Sequence, residues 1–171
     1  TTYLPVKIQS LLEMTYDELY NNTLSAFSTN KRQHLVGEIR ITQMRYIPNQ
    51  PSSAITIKST TTGQTHEHNQ EILIHGVNYN TEDGVTIPGY DVTIEPLHTH
   101  SNDLQVKCSC SDFYWRFATW NAMNQSLIGD PPPPYVKKSN RPDVNPNQTP
   151  GICKHIMAVV NRMRQDGILS V

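Results

Sequence analysis

The sequence predicts an α+β fold, in which a small antiparallel sheet is followed by a helical C-terminal unit. Three observations support this prediction. Apolar and polar residues alternate over 54–77 and over 90–110, which is typical of half-buried strands. Apolar residues recur at helical spacing over 15–27 and again after Ser111. All three cysteines lie between 108 and 153, from the end of the predicted sheet to the start of the last predicted helix.

Composition limits the classes of protein to consider. The chain has 171 residues, enough for one domain or one domain with an appendage, and 36% of them are hydrophobic. We divide it into 1–103, a helical segment plus antiparallel sheet, and 104–171, which carries a Pro-rich insertion at 130–150. The net charge of −1 argues against a dedicated nucleic-acid binder. No window of 18 apolar residues is present, so we expect no membrane span and no membrane partner.

The N-terminal part is predicted to hold a helix and then a strand. Thr15 and Glu18 form a capping-box pattern at the start of the helix, whose apolar stripe runs to Phe27. Asn30 is the expected stop. A strand over 35–47 should follow, with its isoleucines on one face and its charged residues on the other.

Two hairpins are predicted to complete the sheet. The first covers 54–77, with a turn at 62–64. The second covers about 90–110 and should pair the strand around Ile94 with the strand around Val106. Together these strands would make a small antiparallel sheet.

The C-terminal part is predicted to contain two helices separated by an extended arm. The first helix begins at Ser111, as N-cap, and its stripe extends to Leu127. Seven of the twelve prolines lie in 130–150, so this segment should be an extended, polyproline-like arm. The last helix covers about 153–165, and Gly167 is its expected stop.

Cys108, Cys110, Cys153 and His155 make a complete tetrahedral ligand set for zinc. Strand parity points both thiols of the first pair to the face that carries Leu104. Side chains two apart on a helix diverge by roughly 200°, so Cys153 should lie just outside the regular last helix. Zinc would then clamp the C-terminal helical unit to the sheet.

Other interpretations of this ligand set remain open. The cysteines could be buried apolar side chains without a metal, with the histidine on the surface. An iron–sulfur cluster could use the same four ligands. A catalytic zinc needs an open coordination position, and four protein ligands leave none.

The pattern Cys-x-Cys followed by Cys-x-His at a helix start resembles the SWIM-type zinc finger. The matching segments are VKCSCSDF and GICKHIMAVV, and the resemblance covers about 104–165. It implies a strand–strand–helix zinc module of a class associated with protein and nucleic-acid interaction. The spacer here is longer and richer in proline than is usual in that family. More loosely, the chain is similar to small virion proteins of contractile-tailed bacteriophages, which implies a structural subunit of a neck, tail or baseplate.

Two His-x-His pairs are further candidate ligands: His66 with His68, and His98 with His100. Three copies around a threefold axis would supply six nitrogens, enough for octahedral iron or nickel. The alternative is solvated histidines near hairpin turns. Similarly, the aromatic run over 113–117 could stack on bases, although its helical spacing favours a core role.

The sequence therefore predicts a non-enzymatic structural protein with a structural zinc ion. No nucleophile elbow, phosphate loop or dinucleotide fingerprint is present. The expected partners are other structural proteins of a larger assembly, most specifically a phage virion, and a homo-oligomer is compatible with this role. The expected location is the virion, after synthesis in the host cytoplasm, or otherwise the cytoplasm. The arm, with Tyr135 as anchor, is the expected docking element, and the alternative is a zinc-finger adaptor that binds protein or nucleic acid.

Overall fold

The structure is a computed structural model that describes residues 14–27, 31–63, 66–134 and 136–170, with the side chains of 31–34 outside the description. The helices are α1 (Tyr16–Ala26), α2 (Ser111–Arg116), α3 (Ala118–Met123) and α4 (Lys154–Gln165), and a 3₁₀ helix covers Lys31–Glu38. The strands are β1 (Arg40–Asn49), β2 (Ala54–Thr62), β3 (Glu67–His75), β4 (Val85–Thr86), β5 (Thr93–Ile94) and β6 (Leu104–Cys108). This arrangement confirms the α+β class.

A four-stranded antiparallel sheet has the order β1-β2-β3-β6. The predicted hairpin over 54–77 is present as β2 and β3, and the Gly63 N–H donates to the His66 carbonyl at the turn. Gln64, the last residue of the predicted turn, lies outside the described residues. Rows of inward side chains run across the sheet, and one such row is Tyr46, Ile57, Ile72 and Val106.

The second predicted hairpin is wrong in its pairing. β5 pairs with β4, whereas β6 pairs with β3, so Val106 lies opposite Ile72 instead of facing the strand of Ile94. Asn102 reinforces the observed pairing. Its side-chain oxygen accepts the His98 N–H at 2.8 Å, and its amide nitrogen donates to the His75 carbonyl at 2.9 Å. These bonds tie the approach to β6 to the end of β3, so the chain enters the sheet beside β3.

The strand predicted over 35–47 begins later than expected. Residues up to Glu38 form a 3₁₀ helix, and the Ile39 N–H donates to the Val36 carbonyl at 3.1 Å. A bulge between Ile41 and Gln43 then shifts the register of β1. This extra residue puts Ile41 on the same face as Tyr46, a change of parity that alternation alone does not reveal.

The helix predicted from Ser111 is divided at Phe117 into α2 and α3. Its N-cap is Cys110 instead of Ser111, because the Cys110 sulfur accepts the Phe113 N–H at 3.3 Å. Phe113 and Phe117 are buried as the stripe predicts, whereas Leu127 lies beyond α3 and bridges to Val106. The stripe therefore identified Phe113 and Phe117 as core residues, but its later members, Trp120, Asn124 and Leu127, are only half-buried, and it joined two short helices into one.

Both terminal helices follow their local signals closely. The capping box of Thr15 and Glu18 is formed at α1, while Asn30 lies outside the described residues. α4 ends at Gln165, and Gly167 follows with a positive φ of 79°. None of the helices in the described ranges is long and apolar enough to cross a membrane.

One cluster of buried side chains contains residues from both sides of position 103. The division of the chain into 1–103 and 104–171 stays a prediction. α4 supplies seven buried residues, more than a single stripe provides: His155, Ile156, Met157, Ala158, Val159, Val160 and Met163. The helix contacts β1, β3 and β6. Its N-terminal turn is thereby held beside the end of β6.

Candidate metal centre

The structure brings Cys108, Cys110, Cys153 and His155 together. One donor atom from each lies within 4.8 Å of the other three, and all four residues are buried. Among the described residues, this is the single group of three or more His, Cys, Asp or Glu side chains close enough to hold a metal ion. A candidate metal site that joins β6, α2 and α4 is therefore present.

Each ligand is placed by a different local feature. Cys108 is the last residue of β6 and faces inward with Leu104 and Val106, as parity predicts. Cys110 lies past the strand end as the N-cap of α2. Cys153 is the N-cap of α4 with extended backbone angles, φ −89° and ψ 170°, which confirms that it lies just outside the helix.

The spacing of the donor atoms, at most 4.8 Å, is compatible with a tetrahedral ion that would draw them slightly closer together. Zinc bonds of about 2.0–2.3 Å place neighbouring ligand atoms of a tetrahedron roughly 3.5–3.8 Å apart. The Cys108 sulfur lies 3.9 Å from Nδ1 of His155. Three soft thiols with one imidazole are a donor set that zinc prefers, and no fifth protein ligand is needed.

The three thiols perturb one another's pKa values. The Cys110 and Cys153 thiols lower the pKa of Cys108 to about 4. Burial raises the pKa of the Cys153 thiol, which is completely enclosed. A divalent cation among these sulfurs would take the place of the thiol protons, since thiolate is the form that binds metal.

One backbone N–H and one side-chain amide donate hydrogen bonds to the sulfurs. The Phe113 N–H reaches the Cys110 sulfur at 3.3 Å, and Nε2 of Gln70 reaches the Cys108 sulfur at 3.6 Å. Sequence reasoning missed Gln70, although a signal existed. Gln70 shares the strand parity of Ile72 and Ile74, so it is a polar residue on the buried face of β3.

His68 is the second residue that sequence reasoning did not connect to this site. Its ring lies 4.8 Å from the His155 ring, centroid to centroid, with an interplanar angle of 56°. Burial, followed by the neighbouring His155, lowers the pKa of His68. His68 therefore covers one side of the candidate ligand His155.

The His-x-His pairs remain pairs within this chain. The ring centroids are 6.3 Å apart for His66 and His68, and 5.3 Å apart for His98 and His100. Neither pair belongs to a larger cluster of candidate ligands in the described part of the chain. A metal shared between three copies stays a hypothesis.

A buried asparagine holds the segment that leads to Cys153. The Asn121 amide donates to the Gly151 carbonyl at 2.9 Å, and its oxygen accepts the Gly151 N–H at 2.8 Å. The next residue, Ile152, donates its N–H to the Thr23 hydroxyl at 3.0 Å. The approach to the second ligand pair is thus tied to both α3 and α1.

The Pro-rich arm is anchored at its second end. The Asn145 amide donates to the carbonyls of Arg116 and Thr149 at 2.7 and 2.8 Å, and Arg116 donates to the Val144 carbonyl at 2.6 Å. This end of the arm is therefore attached to its own domain. Tyr135, the predicted anchor, lies outside the described residues.

Comparison of the chain with protein-family models, curated proteins and solved structures found no match. The resemblance to the SWIM-type zinc finger thus rests on the ligand pattern and on the buried Cys₃His cluster, which is compatible with a zinc finger. The likeness to bacteriophage virion proteins rests on the sequence pattern alone.

Proposed function

We propose that the four clustered residues hold one structural zinc ion and that the protein is a non-enzymatic component of a larger assembly. The observation that carries the first part is the convergence of four buried donor atoms from three elements of the fold. Four protein ligands complete a tetrahedron, so such an ion would have no free position for substrate or water.

The ion would act as a cross-link in the folded chain. Residues 111–152 leave the sheet after β6 and return to it at α4, and zinc would join the two ends of this excursion. Because the unfolded chain lacks a preformed site, much of the binding free energy becomes folding free energy.

Metal analysis of protein prepared without added zinc tests this proposal. We expect one zinc per chain in the wild type, and loss or strong weakening of binding in His155→Ala. His100→Ala is the matched control, because this exposed histidine lies outside the cluster and should retain the metal. Iron with visible absorption, or no metal at all, would contradict the zinc assignment.

The arm supports the proposed role in assembly. Apart from the half-buried Pro132, the described residues from Asp130 to Val144 are exposed, and Val136 and Val144 expose apolar surface at 73% and 49%. An extended, Pro-rich segment loses less conformational entropy on binding than a flexible one. The anchored end at Asn145 would fix where the arm leaves the domain. We propose that the arm docks on another structural protein, and that the assembly is a phage virion.

Co-expression with the proteins encoded beside its gene, followed by mass photometry, tests the docking role. We expect a complex that is lost when Pro131–Pro134 are replaced by a Gly-Ser segment of equal length, while Asn147→Ala in the same arm retains it. Neighbouring genes for capsid and tail proteins would support the virion. A complex that forms equally well without the proline run would remove the arm from the interface.

A zinc-finger adaptor that binds nucleic acid is the second candidate, favoured by the exposed cations Lys137, Lys138 and Arg141 on the arm. Lys137 already pairs with Asp143 at 3.5 Å, and the net charge is −1. Few phosphates could be neutralised, so affinity should be lost with added salt. We expect no submicromolar binding to duplex DNA near about 150 mM salt. Binding retained under those conditions would favour the adaptor.

A further inference from the structure

Gln70 is a polar residue placed in the buried face of the sheet. It lies on β3, is 3% exposed, and pairs in register with Cys108 on β6. Its neighbours along the same face of β3 are Ile72 and Ile74. A glutamine in such surroundings is costly unless its donors and acceptor are satisfied.

Two hydroxyl groups hold the Gln70 amide. Nε2 of Gln70 donates to the Thr61 hydroxyl at 2.8 Å, and this hydroxyl can direct its own proton toward the His68 carbonyl, 3.5 Å away. The Ser59 hydroxyl donates to Oε1 on the other side at 2.8 Å. The second proton of Nε2 is left for the Cys108 sulfur at 3.6 Å.

This donor matters because of the charge that the site would carry. A Zn²⁺ ion with three thiolates has a net charge of −1, here in a buried position. N–H groups directed at ligating sulfurs offset that charge and hold the ligands in place. Phe113 supplies such a donor to Cys110, and Gln70 supplies one to Cys108.

We propose that Gln70 is a positioning residue for the metal: its amide, aligned by Ser59 and Thr61, holds Cys108 as a ligand and slows loss of the ion. This inference rests on the proposed metal site. It extends the site from four ligands to a hydrogen-bonded row that crosses from β6 through β3 to β2. The sheet interior, and not only the ligand loops, then controls how firmly the metal is held.

Two replacements remove the donor in different ways. Gln70→Met has similar length but no polar atoms. Gln70→Glu keeps the shape and the acceptor for Ser59, but an ionised carboxylate cannot donate to Cys108. Tyr46→Phe separates stability from metal retention, because it deletes the hydrogen bond from the Tyr46 hydroxyl to Asp166, at the far end of α4 from the ligands, and leaves the Gln70 network intact. Gln43→Met is a surface control, since Gln43 is exposed on β1.

The variants are compared as full-length protein by two measurements: transfer of zinc to a competing chelator, and the sulfur-to-metal charge-transfer band of the Co²⁺-loaded protein. Both Gln70 variants should bind zinc about 10- to 100-fold more weakly than wild type. Their charge-transfer band should move to longer wavelength, because a sulfur without its N–H donor is richer in electrons. Tyr46→Phe should unfold more easily yet keep the wild-type band and affinity, and Gln43→Met should match wild type throughout.

The outcomes distinguish this inference from the metal site itself. If wild type binds no metal, the site and the role of Gln70 both fail. If wild type binds zinc and the Gln70 variants match it in affinity and in spectrum, only the role of Gln70 fails. Should Tyr46→Phe lose metal as readily as Gln70→Met, the effect is general destabilisation, and the positioning role is refuted.

Discussion

Asn121 is expected to be the most sensitive residue outside the ligand cluster. Its side chain is completely buried and makes two hydrogen bonds to Gly151, one to the carbonyl and one from the N–H. Gly151 is itself buried and lies two residues before Cys153. Asn121→Ala would leave both backbone groups of Gly151 without partners, at a point where water has little access.

The expected loss of stability follows from these two groups. A buried polar group left without a partner costs about 1–3 kcal/mol, so the pair should cost about 2–6 kcal/mol. Domains are usually stable by about 5–15 kcal/mol, so the loss would be a large fraction of the total. Because Gly151 leads directly to Cys153, metal should also be released faster.

Urea denaturation of the metal-loaded protein measures this loss. The midpoint should fall while the slope stays unchanged, which would show that stability and not compactness has changed. Asn124→Ala is the matched control. That amide, just after α3, is partly exposed and donates once, to the Trp120 carbonyl at 2.7 Å, so its loss should cost only about 0.5–1.5 kcal/mol. Equal costs for the two variants would refute the argument that Asn121 supports the approach to Cys153.

Three further predictions follow from the packing, a buried tyrosine and the metal. Gly151→Ala should lower the free energy of unfolding in urea by about 1–3 kcal/mol, because its Cβ would lie 2.5 Å from a ring atom of the buried Phe117. Gly63→Ala is the control, since its Cβ would meet nothing within 4 Å. Equal midpoints for the two variants would contradict this expectation. Tyr46→Phe should cost about 1–2 kcal/mol by removing the 2.9 Å hydrogen bond to Asp166. Burial and that bond raise the pKa of Tyr46 above its ordinary 10.0. Above about pH 10 the tyrosine therefore ionises in the unfolded chain first, so wild-type stability should fall there, and the fall should be weaker in Tyr46→Phe. Identical pH profiles of the two proteins would count against this cause. Removal of metal by a strong chelator should lower the melting temperature by about 10–20 °C, as expected for a loss of about 5 kcal/mol in the free energy of unfolding. Calorimetry with and without chelator measures the change. An unchanged melting temperature would exclude a stabilising ion.

Elements with strong local signals were predictable from the sequence. The hairpin over 54–77 could be predicted because alternation and turn residues act over a few positions. The start of α1 at its capping box and the end of α4 before Gly167 are also local. The candidate ligand set is also a local signal. Two Cys-x-ligand pairs that together use every cysteine indicate a donor set before any fold is known.

Features that join distant segments were decided by the tertiary structure. The pairing of β6 with β3 is reinforced by the Asn102 side chain, a contact that no periodicity reveals, and the contact between Gln70 and Cys108 joins residues 38 positions apart. Asn121 meets Gly151 across 30 positions. The partner of a buried polar side chain depends on which groups lie near it in the folded chain, whereas the sequence shows only that the residue is polar. The ligand pattern alone thus indicates which residues could hold a metal. The side chains that support those ligands are known only from the fold, because hydrogen bonds form between groups that lie close together in space.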